Sequence, residues 1–225
     1  KLQENIAPIW ARWATFQPSE QVLKLLETGD YGVSETDIRE NLEEQAEIVF
    51  DYINRSNFGT QFYEAALDLL VGTATLRIDE TDEDDMPFVF HAIPQKGIAF
   101  EEGPWGTIET HWRRMKVKAR LLERMWKGFE PSEKIANLIK SSPDNEVSVH
   151  EGVVYCPKMK RYYGMLWCDG EDSISWFEDF GVTSPWVTGR YTKVAGEVRG
   201  RGPAMQTLPD VRSLNKAKEF VLQKA

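Results

Sequence analysis

At Gly72 the hydrophobic period of this chain changes, and few folds accommodate what stands on either side of it. Before it, Ile38, Leu42, Ala46, Val49 and Ile53 recur at spacings of 4, 4, 3 and 4, which is one face of an amphipathic helix. Ser34, with Asp37 three residues on, is a capping-box start for that helix. Its opposite face carries Glu40, Glu43, Glu44, Glu47 and Asp51. Asn57 is placed to cap a second helix, with Phe58, Phe62, Ala65, Ala66, Leu69 and Leu70 on its apolar side. So short a link predicts an antiparallel helical hairpin. Beyond Gly72 the period is that of strands, predicted over 73–78, 88–92, 97–100 and 107–115. A meander follows over 147–155, 162–168, 174–180 and 186–191. Helices that precede a run of antiparallel strands define an α+β fold, a helical hairpin packed with an antiparallel sheet.

The remaining segments are shorter. Residues 10–16 are aromatic and alternate, so they read as a strand. Pro18-Ser19-Glu20 starts a short helix that runs to about Glu27 and is broken by Gly29 and Gly32. A basic helix is predicted over 117–126 and another helix over 131–140. Pro203 or Pro209 opens a last helix with Leu208, Val211, Leu214, Ala217 and Val221 on one side. It still runs at Ala225 with no glycine or other cap, which predicts a piece of a longer subunit.

Composition narrows the function classes. With 225 residues the chain can bury a core without disulfides or metals. Its 41% hydrophobic and 28% charged residues exclude collagen-like and disordered chains. No apolar run approaches the roughly 18 residues of a membrane span. The formal charge of −9 argues against a protein that coats nucleic acid. That total hides an asymmetry: residues 1–100 carry 7 Lys/Arg against 19 Asp/Glu, and residues 101–225 carry 20 against 17. Opposed charge could steer self-association, or the acidic helix could simply be solvated. Cys156 and Cys168 flank a hairpin turning near 157–161, too far out of register for a disulfide, so a reducing compartment is expected. With His91, His111 and His150 they make no zinc spacing.

Three stretches invite chemistry. The acidic loop 79–85 lacks the glycine and closing glutamate of a calcium loop and reads as a solvated turn. Residues 111–127 hold seven Lys/Arg, among them Arg113, Arg114 and Lys118, against Glu123 alone. Such a cluster could meet phosphate, an acidic helix of a neighbouring subunit, or water. The G-x-x-x-G-x-G run from Gly196 to Gly202 matches neither a Walker A loop nor a dinucleotide fingerprint. It reads as a tight strand-to-helix connection in which glycine supplies positive φ. The 8 Trp and 11 Phe read as core or interface, a base or sugar platform being the other option.

The stretch Gly189-Arg190-Tyr191-Thr192-Lys193-Val194-Ala195-Gly196-Glu197-Val198-Arg199-Gly200-Arg201-Gly202-Pro203, continuing Leu208-Pro209-Asp210-Val211-Arg212-Ser213-Leu214-Asn215, resembles the signature of the head-to-tail connector, or portal, proteins of short-tailed bacteriophages. Arg199 stands where that family has an aromatic residue. Pro8-Ile9-Trp10-Ala11-Arg12-Trp13 resembles its early Trp-containing strand. Asn57-Phe58, Phe62-Tyr63-Glu64-Ala65 and Leu69-Leu70-Val71-Gly72-Thr73-Ala74 resemble its second helix and the strand after it.

The resemblance implies a structural role without cofactor or metal: a subunit of a dodecameric ring at the capsid vertex. Through such a ring double-stranded DNA is packaged and ejected. Its implied partners are copies of itself, capsid and scaffolding protein, terminase and a tail adaptor, in the virion and in host cytoplasm during assembly, with no membrane. Residues 1–202 would be wing-like and 203–225 the start of a stem helix. Gly196, Gly200 and Gly202 would shape the turn between them, and Arg190, Glu197 and Arg201 would form one network there. Glu43, Glu44 and Glu47 are expected to meet Arg113, Arg114 and Lys118 of a neighbouring copy. The other classes kept open are a nucleic-acid-processing enzyme, using 79–85 for metal and 111–127 for phosphate, and a monomeric binding module.

Overall fold

The computed structural model describes residues 6–8, 11–29, 32–82 and 86–224. Among the elements whose bounds lie within the described residues, α1 (Glu20–Thr28), α2 (Glu35–Arg55) and α3 (Phe58–Val71) precede the strands. Helix α2 starts as its sequence dictates. Ser34 Oγ accepts from the Asp37 amide at 3.2 Å, and the Asp37 carboxylate accepts from the Ser34 amide at 2.9 Å. These reciprocal bonds satisfy two donors that a bare helix start leaves unpaired. Asn57 does not cap α3 in the predicted way. Its side-chain amide exchanges two 2.8 Å bonds with the backbone of Phe90, and Ser56 Oγ accepts from the Phe58 amide instead.

The strand expected over 10–16 is a correction: residues 11–19 carry neither helix nor strand, and Trp10 lies outside the described residues. Alternation makes a strand only where a second strand accepts its hydrogen bonds. Trp13 is used for packing, edge-on to Phe50 at 5.1 Å and stacked on Phe58 at 5.9 Å.

Among the described residues, eight strands form two antiparallel sheets. Strands β1 (Thr73–Glu80), β2 (Phe88–Ile93) and β8 (Trp186–Arg190) lie in the order β2-β1-β8. The strand expected over 186–191 as the end of the meander is a correction: β8 leaves that sheet and pairs with β1, from Thr73↔Arg190 to Arg77↔Trp186. The second sheet is a meander of β3 (Ile98–Glu102), β4 (Ile108–Lys118), β5 (Glu146–Cys156), β6 (Arg161–Cys168) and β7 (Trp176–Gly181), adjacent in chain order. The basic helix expected over 117–126 is also a correction. Strand β4 continues to Lys118 because Val117 and Lys118 pair with Val147 and Glu146 of β5. A 3₁₀ turn (Ala119–Leu121) and the short α4 (Leu122–Met125) follow, and α5 (Glu133–Ser141) starts from its Ser132 cap. Cys156 faces Arg161 and Cys168 faces Val149, so the two cysteines stand at opposite ends of the β5–β6 ladder.

The chain divides into two compact units, 1–66 with 78–91 and 67–77 with 92–225, the boundary falling inside α3, β1 and β2. In the first, Ala46, Phe50, Phe58, Ala65 and Phe90 are buried. In the second, Val117, Val149 and Leu166 pack with Leu122, Trp126 and Ile135. Each fully buried leucine there contributes about 1.5–3 kcal/mol. A second cluster joins Ile93, Ile98, Val153 and Trp186.

The chain ends in α6 (Pro203–Lys224). Pro203 opens it, where a missing N–H is harmless, and Pro209 lies inside it, leaving the Met205 carbonyl without its helical donor. Side chains 204–223 are exposed throughout, apolar Leu208, Val211, Leu214, Phe220, Val221 and Leu222 included. Among the described residues no helix is long and apolar enough to cross a membrane.

Candidate functional site

Segments far apart in sequence meet where α6 begins. The Gly202 amide donates to the Val71 carbonyl at 2.9 Å, satisfying one of the acceptors that the end of α3 leaves open. The Tyr191 amide donates to the Gly72 carbonyl at 2.9 Å, and the Gly200 amide donates to Thr73 Oγ1 at 2.8 Å. The Arg201 amide closes onto the Thr192 carbonyl at 2.9 Å. Three glycines let the backbones come this close. A Cβ on Gly72 would lie 2.0 Å from the Gly200 carbonyl oxygen, and one on Gly200 would lie 2.2 Å from the Gly72 oxygen. A Cβ on Gly202 would lie 2.1 Å from the Leu70 oxygen. The sequence pointed to Gly200 and Gly202 for positive φ. The structure gives them a different reason, backbone-to-backbone contact, and leaves positive φ to Gly196 at +81°.

Two ion networks brace this junction in place of the single one expected. Arg190 donates to Glu102 at 3.1 Å, to the Val198 carbonyl at 3.2 Å and to the Gly106 carbonyl. Lys193 reaches the same Glu102 and the same carbonyl. The hydrogen bond from Lys193, with that from Arg190, holds the Glu102 carboxyl below the ordinary glutamate range. Glu197 pairs separately with Arg201, 2.9 Å from Nε to Oε2, four residues along the loop. Arg199 bonds the Ile98 carbonyl at 2.5 Å and lies over the Phe100 ring at 5.2 Å.

The basic stretch is engaged in different ways along its length. Arg113 is not a surface residue. It donates to Glu151 at 2.6 Å, beside Arg77 on the same carboxylate and Trp126 Nε1 at 2.7 Å. Glu151 is 1% exposed. Burial alone would push its carboxyl up, but Arg113, Arg77 and the Trp126 N–H hold it below the usual range. The signal in the sequence was a lone acid in the inward register of Val147, Val149 and Val153. Arg114 pairs with Asp169, Lys116 with Glu146, and Lys118 and Arg120 with Asp144. Cations already matched to carboxylates of their own chain make a poor phosphate clamp. On α2, Glu43 pairs with Arg12, while Glu44 and Glu47 stand exposed. In the acidic loop, residues 83–85 lie outside the described residues.

His111 is buried in the core of the second unit. It is 1% exposed between Phe100 and Trp186, and its Nε2 lies 2.8 Å from Thr188 Oγ1. Burial pushes its pKa down to about 4. A neutral, enclosed imidazole of this kind is a core group, not a general base.

The whole sequence, residues 1–225, matches the family described as bacteriophage head to tail connecting protein. Comparison with curated proteins gives no match.

Proposed function

The chain belongs to the bacteriophage head-to-tail connecting protein family, structural components of the virion at the head–tail junction, and on that premise we propose that it is part of a ring-shaped portal subunit. In this reading residues 1–202 form the wing, and 203–225 begin the stem that lines or encircles the channel. Copies close into a dodecameric ring through which double-stranded DNA enters and leaves. Terminase, capsid and scaffolding protein, and a tail adaptor are its partners, and no cofactor takes part.

The observation that carries the reading is α6. A helix of 22 residues, about 33 Å long, leaves a glycine-locked junction with its apolar side chains in water. Such a surface is what neighbouring helices cover in an assembly. Net charge supports the channel role. Every phosphate neutralised by a cation adds salt-dependent affinity, and a subunit of net charge −9 opposes such gripping as a whole, with only Arg212, Lys216, Lys218 and Lys224 against Asp210 and Glu219 on the proposed stem segment. Glu44 and Glu47 are the acidic half of a proposed contact between copies, with Glu43 beside them. Arg114 and Lys118 are the basic half, exposed and sharing their charge with Asp169 and Asp144 of their own chain, and Arg113 drops out because the buried Glu151 holds it. An antibody raised against this chain, imaged with gold on intact particles, tests the reading. Label at a single vertex, where the tail joins, is the expected result; label at every vertex or along the tail contradicts it.

A further inference from the structure

Trp105 is 88% exposed, the most exposed large apolar side chain among the described residues. It sits at the tip of the turn between β3 and β4, in Gly103-Pro104-Trp105-Gly106. An indole in water loses the burial that usually justifies it, yet this turn is held firmly. The Gly103 amide donates to the Thr107 carbonyl at 2.8 Å, and the Gly106 amide to the Gly103 carbonyl at 3.0 Å. Arg190 and Lys193 both donate to the Gly106 carbonyl and both pair with Glu102 at the foot of the turn. Two long cationic side chains are thus immobilised to present one tryptophan. A Trp exposed on a braced turn is the pattern of an interface anchor, since the ordering cost of the backbone has been met before binding.

The same chain carries a depression suited to an indole. It has a volume of about 520 Å³ and is lined by Thr192, Val194, Glu197, Arg201, Met205 and Gln206. Val194 and Met205 supply apolar and thioether wall. Arg201 can lie over a ring face, and Glu197 can accept the indole N–H. The charges are complementary to what an indole offers, a negative ring face and a positive N–H edge. Trp105 does not occupy this depression in its own chain, because its side chain is in solvent.

We propose that Trp105 of one copy seats in the Val194–Arg201–Met205 depression of the next copy, a head-to-tail contact between two different surfaces. Contacts of this class are heterologous and close into rings when the rotation allows. The inference rests on the ring reading above and names a contact that would carry it.

The test uses the full-length protein with cysteines placed beside the contact and not in it. Pro104→Cys chains and Gln206→Cys chains are mixed and oxidised, with the native protein as control for Cys156 and Cys168. A disulfide-linked mixed dimer is expected. Adding Trp105→Ala to the Pro104→Cys chain should abolish it, and Trp105→Ala alone should raise the concentration needed for assembly by about tenfold or more. Thermal melting of the variant stays native, because the side chain packs on nothing in its own chain. Rings that persist with no mixed dimer overturn this contact and leave the ring reading standing, with the Trp facing another partner. A native protein that stays monomeric and gives no mixed dimer overturns both.

Discussion

Single residues decide stability where charge is buried. Glu151 is surrounded by Arg77, Arg113 and the Trp126 indole, so losing its charge leaves two guanidinium groups without their common partner. Glu151→Gln should cost about 3–5 kcal/mol in urea unfolding; a loss under about 1 kcal/mol would refute the clamp. His111 makes the second prediction. Its folded pKa of about 4 lies below the unfolded value of 6.5. Between those values the unfolded chain binds a proton that the folded chain refuses, so stability falls as pH drops from about 6.5 to about 4. The loss reaches about 3 kcal/mol, and His111→Gln should remove it from the pH profile. Glu151, with its depressed pKa, adds to acid sensitivity only below about 4.3, the unfolded glutamate value. These residues were only partly legible in the sequence. A lone glutamate in a row of inward valines signals a buried acid, but its arginines lie 38 and 74 positions away, beyond any local pattern.

Elements were legible where their signals are local. The capping box of α2, the Ser132 start of α5 and the run β5-β6-β7 follow from residues a few positions apart, whereas β8, expected as the last strand of that meander, pairs with β1 in the other sheet. Elements that depend on a distant partner were not. The alternating segment 11–16 has no ladder, and β4 outruns its predicted end because β5 accepts it. The glycine junction shows both sides. That Gly200 and Gly202 matter could be read, but their reason lies in Gly72 and Leu70, far off in sequence. This separates two variants. Gly202→Ala drives a Cβ into the Leu70 carbonyl and should destabilise by about 1–3 kcal/mol while loosening the start of α6. Gly196→Ala meets open space and bears only the strain of positive φ, about 1–2 kcal/mol. Calorimetry with hydrogen exchange at α6 checks both; equal protection of α6 in the two variants would contradict the junction's role.

At the scale of the whole molecule, the −9 charge and its uneven distribution bear on the proposed contact between copies. Carboxylates within the chain already match Arg114, Lys116, Lys118 and Arg120, while Glu44 and Glu47 remain exposed on α2. Replacing both with lysine should weaken ring assembly at low salt and matter less at high salt, where exposed charges are screened. Sedimentation across ionic strength reads this, and assembly that is unchanged at every salt concentration would remove α2 from the interface. The exposed apolar side chains of α6 and the exposed Trp105 are the surfaces that the proposed ring would bury. The most direct measurement is therefore electron microscopy of the purified full-length protein, paired with its native mass. The account predicts closed rings of a single size with an open axial channel and α6 helices around it. A monomer, or a closed dimer without a channel, at concentrations where the native protein is folded would contradict it.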